Sequence, residues 1–313
     1  ELIPYRDLKF QDLERWNYLD SLVRKIENVD SAYIKFDKNS IYVSLDDIET
    51  FEDENFRIRL IKQYDLLNEL EDKKEKAKWS KYLIAPDIYF EILKKCKDKL
   101  TYFKNLVNDV KYGIKTGIND FFYLELYEDS TNEREILKVK NKKGWLGEIE
   151  KEFLVPVIKS FKEIKNYETL LIKPKYLAFF CNLSKSELKK LRKFGALSYI
   201  EWGEKQRSKN GILWPDVPSV KSFKNWYSLP DMSPGDFIFN SMIGERFGIS
   251  LNTNRDLVDK RMYQIYLKEN SDYELFGALF NSYIFRLFLE MEGRILVGDI
   301  TGIDIDVYSL ENT

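Results

Sequence analysis

Hydrophobic residues recur at helical spacing in several stretches of this chain. Between residues 8 and 29 they lie opposite a charged face, which predicts an amphipathic helix. The same spacing from Ile58 to Leu70 predicts a second helix, and Pro86-Asp87 starts a third that runs to Lys95. A wide apolar stripe from Tyr273 to Met291 predicts a long buried helix, which Gly293 would end.

Other stretches have the composition of strands and turns. Ala32–Phe36 and Ile41–Leu45 flank turn residues 37–40, which predicts a hairpin. A helix predicted from Ser184 to Phe194 begins with a capping box of Ser184 and Glu187. Further strands are predicted between residues 112 and 220, between 237 and 254, and over 300–307. Four short β-rich runs in the first of these regions are Phe121–Leu126, Ile136–Val139, Tyr176–Phe180 and Leu197–Trp202.

Strands and helices do not alternate as βαβ units, so the pattern predicts an α+β fold. Residues 1–77 form an acidic lead-in of helix and hairpin. Residues 78–313 form an irregular mixed α/β domain with short antiparallel strands and a closing buried helix.

Charge is distributed unevenly along the 313 residues, although the net charge is only −2. Residues 76–230 contain 31 basic and 19 acidic side chains, a net charge of +12, and each flank has a net charge of −7. This asymmetry is expected when one face of a protein binds phosphates. Lysine-rich solvated helices would produce the same asymmetry.

The chain contains no histidine, which excludes an imidazole base, a histidine metal ligand and a Ser-His-Asp triad. Two distant cysteines, Cys96 and Cys181, indicate neither a disulfide framework nor a zinc site. Carboxylate chemistry remains, with Asp87 and Glu91 as the nearest nuclease-like pair. No apolar run is long enough to cross a bilayer, and no signal-peptide pattern is present, so we expect a cytoplasmic location and no membrane partner.

The segment VKYGIKTGINDFFYL, residues 110–124, combines glycines, cations and amides with aromatic residues. Gly113 and Gly117 would let the main chain approach a ligand closely. Phe121, Phe122 and Tyr123 would return the chain to the core. A tight turn leading into a buried strand would have the same pattern. Groups that would bind a polynucleotide are Lys111, Lys115, Thr116 and Asn119.

Two further segments carry cationic and amide side chains of the kind that read base edges in DNA. The first, residues 199–214, has aromatic residues on both sides of a polar loop, a pattern also common in loops without this function. Its candidate contacts are Lys205, Gln206, Arg207, Lys209 and Asn210. The second, residues 237–254, supplies Arg246, Asn252 and Asn254, although Arg246 would equally suit an ion pair within a sheet.

Together with KWSKYLIAPDIYFEIL (78–93) and LFNSYIFRLFLEMEGR (279–294), segment 110–124 resembles the target-recognition region of N6-adenine DNA methyltransferases. The similarity is to large bacterial and archaeal enzymes in which one polypeptide carries methylation and, in some members, also restriction. In that family a GIKTG-N-FF stretch opens the recognition domain and an LNS helix ending in E-GR closes it. Phe280 replaces the leucine of LNS here. The resemblance implies that residues 78–313 are a target-recognition domain that binds double-stranded DNA.

The family's catalytic segments are missing from this chain. Such enzymes hold the flipped adenine on an Asn/Asp/Ser-Pro-Pro-aromatic loop and the methyl donor over a glycine-rich turn. No two of the eight prolines are adjacent, and no Gly-x-Gly occurs. We therefore expect the C-terminal part of a longer restriction-modification enzyme, in which residues 1–77 lead from an upstream methyltransferase domain that binds S-adenosylmethionine. For this chain alone we expect no catalytic residue, cofactor or metal.

Two alternatives to this hypothesis remain open. A standalone DNA specificity subunit or an RNA-binding subunit would use the same surfaces without an upstream catalytic domain. A carboxylate-metal nuclease would use Asp87 and Glu91 and would require Mg²⁺.

Overall fold

A computed structural model of the protein describes residues 20, 33–36, 41–44, 50–52, 57–59, 61–72, 79–127, 135–164, 174–244, 247–296 and 302–313. The chain divides into two compact units, Glu1–Leu100 and Thr101–Thr313. This division falls later than the boundary predicted after residue 77, which stays a prediction. The helix predicted over residues 8–29 lies outside the described residues, apart from the helical Asp20. Within the described ranges, no helix is long and apolar enough to cross a membrane.

The described part of the first unit contains two antiparallel strand pairs and three helices. The pairs are β1 (Tyr33–Phe36) with β2 (Ile41–Ser44), and β3 (Thr50–Glu52) with β4 (Arg57–Arg59). The helices are α1 (Gln63–Asp72), α2 (Ser80–Ile84) and α3 (Asp87–Cys96), and a 3-10 turn, Lys97–Lys99, follows α3. The first strand pair confirms the predicted hairpin. The prediction that Ile58 begins a helix is wrong, because Ile58 pairs with Phe51 between β4 and β3.

The predicted start of α3 at Pro86-Asp87 is confirmed, and Arg59 holds it in place. The guanidinium of Arg59 donates to the Ala85 carbonyl at 3.2 Å and to the Asp87 carboxylate at 2.6 Å. It also lies over the ring of Phe90, 4.1 Å from the centroid. A cation from β4 thus fixes the first turn of the helix.

The second unit is built on a six-stranded and a four-stranded sheet. Its strands are β5 (Val107–Tyr112), β6 (Tyr123–Leu126), β7 (Ile136–Asn141), β8 (Leu146–Glu150), β9 (Leu154–Ile158), β10 (Tyr176–Phe179), β11 (Phe237–Asn240), β12 (Met242–Ile243), β13 (Ile249–Leu251), β14 (Leu257–Val258), β15 (Met262–Leu267), β16 (Arg294–Leu296) and β17 (Gly302–Asp304). The larger sheet has the order β14-β9-β10-β6-β7-β8, with only β14 and β9 parallel. The smaller sheet has the order β13-β11-β15-β5, and β12-β17-β16 form a third, three-stranded sheet.

Short helices cover the two main sheets and bury separate cores. They are α4 (Phe103–Leu106), α5 (Asn119–Phe122), α6 (Lys185–Lys190), α7 (Phe194–Gly203), α8 (Tyr273–Phe280), α9 (Tyr283–Glu292) and α10 (Val307–Glu311), with 3-10 turns at Lys151–Phe153, Phe161–Glu163 and Trp214–Asp216. One core joins α5, α6 and α7 to the six-stranded sheet, and the other joins α8, α9 and α10 to the four-stranded sheet. A smaller cluster, which includes Ile158 and Met262, contains residues of both sheets. This architecture confirms the predicted α+β class.

Several predicted boundaries in this unit need correction. The capping box of Ser184 and Glu187 is confirmed, but its helix ends at Lys190, and Arg192 adopts a left-handed conformation with φ of 59°. The run Leu197–Trp202 is helical, not a strand, and lies within α7. Residues 119–122 form α5 before the predicted strand begins at Tyr123.

The stripe from Tyr273 to Met291 forms two helices instead of one. The prediction that the whole stripe is buried is wrong, because Tyr283 is 89% exposed and Leu279 and Ile284 are also exposed. Gly293 does end α9, as predicted. The closing strand is shorter than predicted, because Val307 already lies in α10.

Candidate nucleic-acid interface

Segment 110–124 connects the two main sheets. Residues up to Tyr112 belong to β5, at the edge of the four-stranded sheet. The chain then crosses to the six-stranded sheet, where the Ile114 amide donates to the Val258 carbonyl at 2.7 Å and Ile114 forms a parallel bridge with Asp259. The Lys260 amide donates to the Ile114 carbonyl at 3.1 Å. Lys115 and Lys260, which each follow a bridged residue, are therefore neighbours.

Both glycines of this segment lie against the protein itself. A Cβ atom on Gly113 would lie 2.3 Å from the Val258 carbonyl oxygen. Gly117 has a φ of +71°, and a Cβ there would lie 2.7 Å from Ser219 Oγ. The prediction that Gly113 lets the main chain approach a ligand therefore needs correction, because the close approach is to the backbone of residues 258 and 259.

The predicted polar groups of the segment differ in availability. Thr116 is buried, and its hydroxyl donates to the side-chain oxygen of Asn119, which is itself exposed. The Lys111 ammonium lies 3.1 Å from the Asp109 carboxylate, whose hydrogen bond raises the pKa of Lys111. Lys115 is exposed and makes no ion pair within the described part of the chain. Of these groups, Lys115 is the most available cation.

A buried carboxylate lies beside this segment and was missed by the sequence analysis. Asp259 is 2% exposed and accepts a hydrogen bond from the Tyr123 hydroxyl at 2.8 Å. Its other oxygen accepts from the backbone amide of Arg261 at 3.2 Å and from Arg261 Nε at 3.1 Å. Burial and the neighbouring Asp259 raise the pKa of Tyr123, so its hydroxyl keeps the proton that it donates.

Lys159 is held between two aromatic rings in the same region. Its ammonium lies 4.9 Å from the ring centroid of Tyr123 and 4.4 Å from that of Tyr176. Burial lowers the pKa of Lys159, Lys142 lowers it further, and Asp259, Asp120 and Glu125 oppose this effect. The Arg261 guanidinium reaches the Lys159 carbonyl at 3.4 Å.

The turn between β7 and β8 brings a further cation next to Lys159. Asn141 fixes this turn, because its side-chain oxygen accepts from the amides of Lys143 and Trp145, both at 3.0 Å. The Asn141 amide group lies 3.2 Å from the Tyr199 hydroxyl. The turn therefore holds Lys142 and Lys143 at a fixed place.

Five cations lie on four adjoining segments, and we call them the basic cluster: Lys115, Lys142, Lys159, Lys260 and Arg261. The contacts between Lys159 and Arg261 and between Ile114 and Lys260 connect its parts. Only Lys115 was predicted. The sequence gave no signal that the other four lie near Lys115, because their proximity depends on pairings between distant strands.

The second predicted segment, residues 199–214, forms the end of α7 and a tight loop. Tyr199 and Trp214 are buried and both contact the ring of Phe121, so the aromatic residues on either side of the loop also anchor segment 110–124. The Trp214 amide donates to the Gln206 carbonyl at 3.0 Å, and Arg207 forms an antiparallel bridge with Leu213.

The polar groups of this loop fall into two sets. Arg207 donates to the Gly211 carbonyl at 2.7 Å, and Gln206 donates to the Trp202 carbonyl at 3.3 Å, so both side chains fold back onto the protein. The other predicted contacts, Lys205, Lys209 and Asn210, are exposed.

The third predicted group is only partly accessible. Arg246 lies outside the described residues. Asn252 is buried, and its amide donates to the Gly235 carbonyl at 3.0 Å and to the Asp256 carbonyl at 2.9 Å. In this conformation the Asn252 side chain has no path to a ligand. Asn254 is exposed and hydrogen-bonds the side chain of Asp256.

The carboxylates of the nuclease alternative are engaged in ion pairs. Asp87 pairs with Arg59 at 2.6 Å, and Glu91 pairs with Lys95 at 2.8 Å. Across the described ranges, no group of three or more acidic or cysteine side chains is arranged to hold a metal ion.

The chain is similar to the C-terminal part of a known methyltransferase. The family model of the C-terminal domain of the type II methyltransferase M.Eco57I matches residues 76–302. Among solved structures, the type IIG restriction endonuclease BpuSI is similar, with a TM-score of 0.44 and 11% sequence identity. That match covers 94% of this chain and 30% of the BpuSI chain, so the protein spans less than a third of that enzyme's length. No curated protein matched.

Proposed function

The chain belongs to the family of the C-terminal domain of the type II methyltransferase M.Eco57I, and from this premise we propose that it recognises a target sequence in double-stranded DNA. The parent enzyme would be an N6-adenine methyltransferase of the fused restriction-modification type. Residues 78–313 would form the recognition domain, and residues 1–77 would lead to it from an upstream methyltransferase domain in the same polypeptide.

The observation that carries this proposal is the basic cluster. Lysine and arginine side chains that lie close together repel one another unless an anion compensates them. Lys115, Lys142 and Lys260 make no ion pair within the described part of the chain, and two of them are adjacent across a strand bridge. Such a group in a protein with a net charge of −2 suits a localised polyanion-binding surface.

Sequence readout would come from the loop at residues 205–211 and from Asn119 and Asn254. Lys209 and Asn210 are exposed at the loop, where they would reach base edges directly. Arg207 would have to exchange its bond to the Gly211 carbonyl for a base. Thr116 and Asn252 are buried, so we leave them out of the contact set.

In the described residues and in the sequence we find no counterpart of the arrangement by which a doubly wound fold holds S-adenosylmethionine. That arrangement needs a parallel sheet followed by a glycine-rich turn. Among the described strands only β9 and β14 are parallel, and the sequence has no Gly-x-Gly. The cofactor would therefore bind to the upstream domain, and we assign no step of methyl transfer to these residues.

The test is to incubate the purified chain with a random duplex DNA pool at moderate salt and to sequence the retained molecules. Enrichment of one short adenine-containing motif supports the proposal. Repeating the selection with Arg207→Ala identifies the position that this residue reads, since losing one good base contact relaxes discrimination by about 1–3 kcal/mol. Absence of retention, or stronger retention of structured RNA than of duplex DNA, contradicts the proposal.

A further inference from the structure

The arrangement around Asp259 suggests a built anion site. A carboxylate that is removed from water must be paired and hydrogen-bonded, or it strongly destabilises the fold. Asp259 meets this requirement with three donors, the Tyr123 hydroxyl and two N–H groups of Arg261. The bonds from Arg261 hold the Nε side of its guanidinium against Asp259. The terminal nitrogens of the guanidinium lie on the other side.

Arg261 is thereby oriented while it stays accessible. Its side chain is 65% exposed, whereas that of Asp259 is 3% exposed. The contact of Arg261 with the Lys159 carbonyl is long, at 3.4 Å. A guanidinium with one edge held and its other donors exposed has the fork geometry that binds phosphate oxygens.

Lys159 is restrained as well. It lies against the rings of Tyr123 and Tyr176, so much of its conformational freedom is already lost before any ligand arrives. Its partial burial disfavours the charged ammonium, and Lys142 adds repulsion that a bound anion would relieve. Asp120 and Glu125 are the nearby acidic groups besides Asp259, and they partly compensate this charge.

We propose that Arg261 and Lys159 form a binding site for the phosphodiester backbone of DNA, in which Asp259 is the positioning residue that orients Arg261. This inference rests on the proposed function, and it names a site outside the segments that the sequence singled out. Lys159, held between two rings, is poorly placed to search base edges, and the site offers charge without amide groups. It would therefore set the register of the protein on DNA without reading sequence.

A counter-intuitive change in affinity tests the positioning role. Asp259→Asn removes a negative charge from a polyanion-binding surface, so charge alone would strengthen binding to a random duplex. We expect instead that loss of the oriented guanidinium weakens binding to the random duplex by about tenfold, the effect of one strong charge-assisted contact. The matched control is Asp109→Asn, which removes the same charge beside the exposed Lys111 and is expected to leave affinity equal or higher.

Variants at the exposed Arg261 cover the possibility that Asp259→Asn impairs folding. Arg261→Ala is expected to weaken random-duplex binding about tenfold and to reduce the salt dependence by about one unit on a log–log scale. Arg261→Lys keeps the charge and loses the fork, so its affinity should lie between those of Arg261→Ala and the native chain. If Arg261→Lys binds the duplex as tightly as the native chain does, the proposed role of the guanidinium fork is contradicted.

A second probe separates this inference from the proposed function. Inorganic pyrophosphate is expected to raise the melting temperature of the native chain and not that of Arg261→Ala. If the native chain binds DNA and all the variants bind equally, the function stands and the site is refuted. A pyrophosphate response that requires Arg261, without DNA binding, supports the anion site and refutes the recognition function. No difference between native and variant chains with either probe refutes the site.

Discussion

Single residues of segment 110–124 have structural roles in the fold. Gly113 allows the chain to pass from one sheet to the other, because a Cβ atom there would clash with the backbone of Val258 and Asp259. The Thr116 hydroxyl donates its hydrogen bond to the Asn119 side chain. The segment therefore specifies a crossing point between two sheets, and this crossing places Lys115 beside Lys260.

Gly113→Ala tests this structural role. A Cβ 2.3 Å from a carbonyl oxygen forces the two backbones apart, so we expect the free energy of unfolding to fall by about 1–3 kcal/mol. Chemical denaturation measures the change. Gly244→Ala is the control, since a Cβ there meets nothing within 4 Å, and its effect should stay within about 0.5 kcal/mol. Equal stability of the two variants would contradict the crossing-point interpretation.

Asp256 makes the stability of the fold depend on pH. Burial raises the pKa of its carboxyl, and its Oδ2 atom has no hydrogen-bond partner among the residues that the structure describes. The folded protein therefore retains this proton at a pH where the unfolded chain has released it. The carboxyl's favourable contribution is complete below the ordinary pKa of aspartic acid and declines as the pH rises through the raised, folded-state value.

Asp256→Asn removes this titration while keeping an oxygen for Asn254. Unfolding free energies of the variant and the native chain should differ least in acid, and the difference should shift in favour of the variant towards neutral pH. Denaturant titrations across mildly acidic and neutral pH measure it. Asp231→Asn makes the same substitution at an exposed carboxylate and is the control. A pH-independent difference for Asp256→Asn rules the explanation out.

Elements that are specified by neighbouring residues were predictable from the sequence. The β1–β2 hairpin, the start of α3 and the capping box of α6 all depend on residues within a few positions of one another. α7 was misjudged as a strand because its cap is distant in sequence. The Gly195 and Ala196 amides donate to the Glu150 carboxylate at 3.1 and 2.9 Å, and Glu150 belongs to β8.

The same reason explains why most of the candidate site escaped the sequence analysis. Tyr123 and Asp259 are 136 positions apart, and their hydrogen bond exists only after β9, β14 and segment 110–124 have assembled. Composition indicated a basic surface in residues 76–230, yet Lys260 and Arg261 come from the acidic C-terminal flank, residues 231–313.

The break between α8 and α9 is explained by Asn281, the asparagine of the Phe280-Asn281-Ser282 segment. The Asn281 side chain donates to the Ile249 carbonyl and accepts from the Ile249 amide, both at 2.9 Å, so it pairs with β13 as another strand would. Ser282 then caps α9 by accepting from the Phe285 amide at 3.2 Å. A continuous helix would lose both interactions.

Asn281→Ala should therefore destabilise this part of the fold. Two backbone groups of Ile249 lose their partner, which costs about 1–3 kcal/mol when the groups are buried. Hydrogen exchange should show faster exchange at Ile249, and denaturation should give the total change. Asn105→Ala is the control, because among the described residues its side chain bonds only the hydroxyl of the exposed Thr101, which precedes α4. Unchanged exchange at Ile249 would show that the bond is dispensable.

At the scale of the whole molecule, folding concentrates positive charge in a protein that has a slight net negative charge. Cations from the β7–β8 turn, the end of β9, segment 110–124 and the β14–β15 connection form the basic cluster. Global charge would therefore mislead about affinity for DNA. Under the proposed function, the basic cluster would set how many phosphates are neutralised, and this number would control the salt dependence of binding.

The salt dependence of binding to a random duplex gives the last prediction. If all five cations of the basic cluster contact phosphates, the slope of log affinity against log salt should be about −4 to −5. Lys115→Ala should reduce its magnitude by about one unit and weaken binding to all sequences alike. Lys104→Ala removes the same charge next to Asn312, outside the cluster, and should leave the slope unchanged. Equal slopes for both variants would mean that net charge, and not the basic cluster, governs binding.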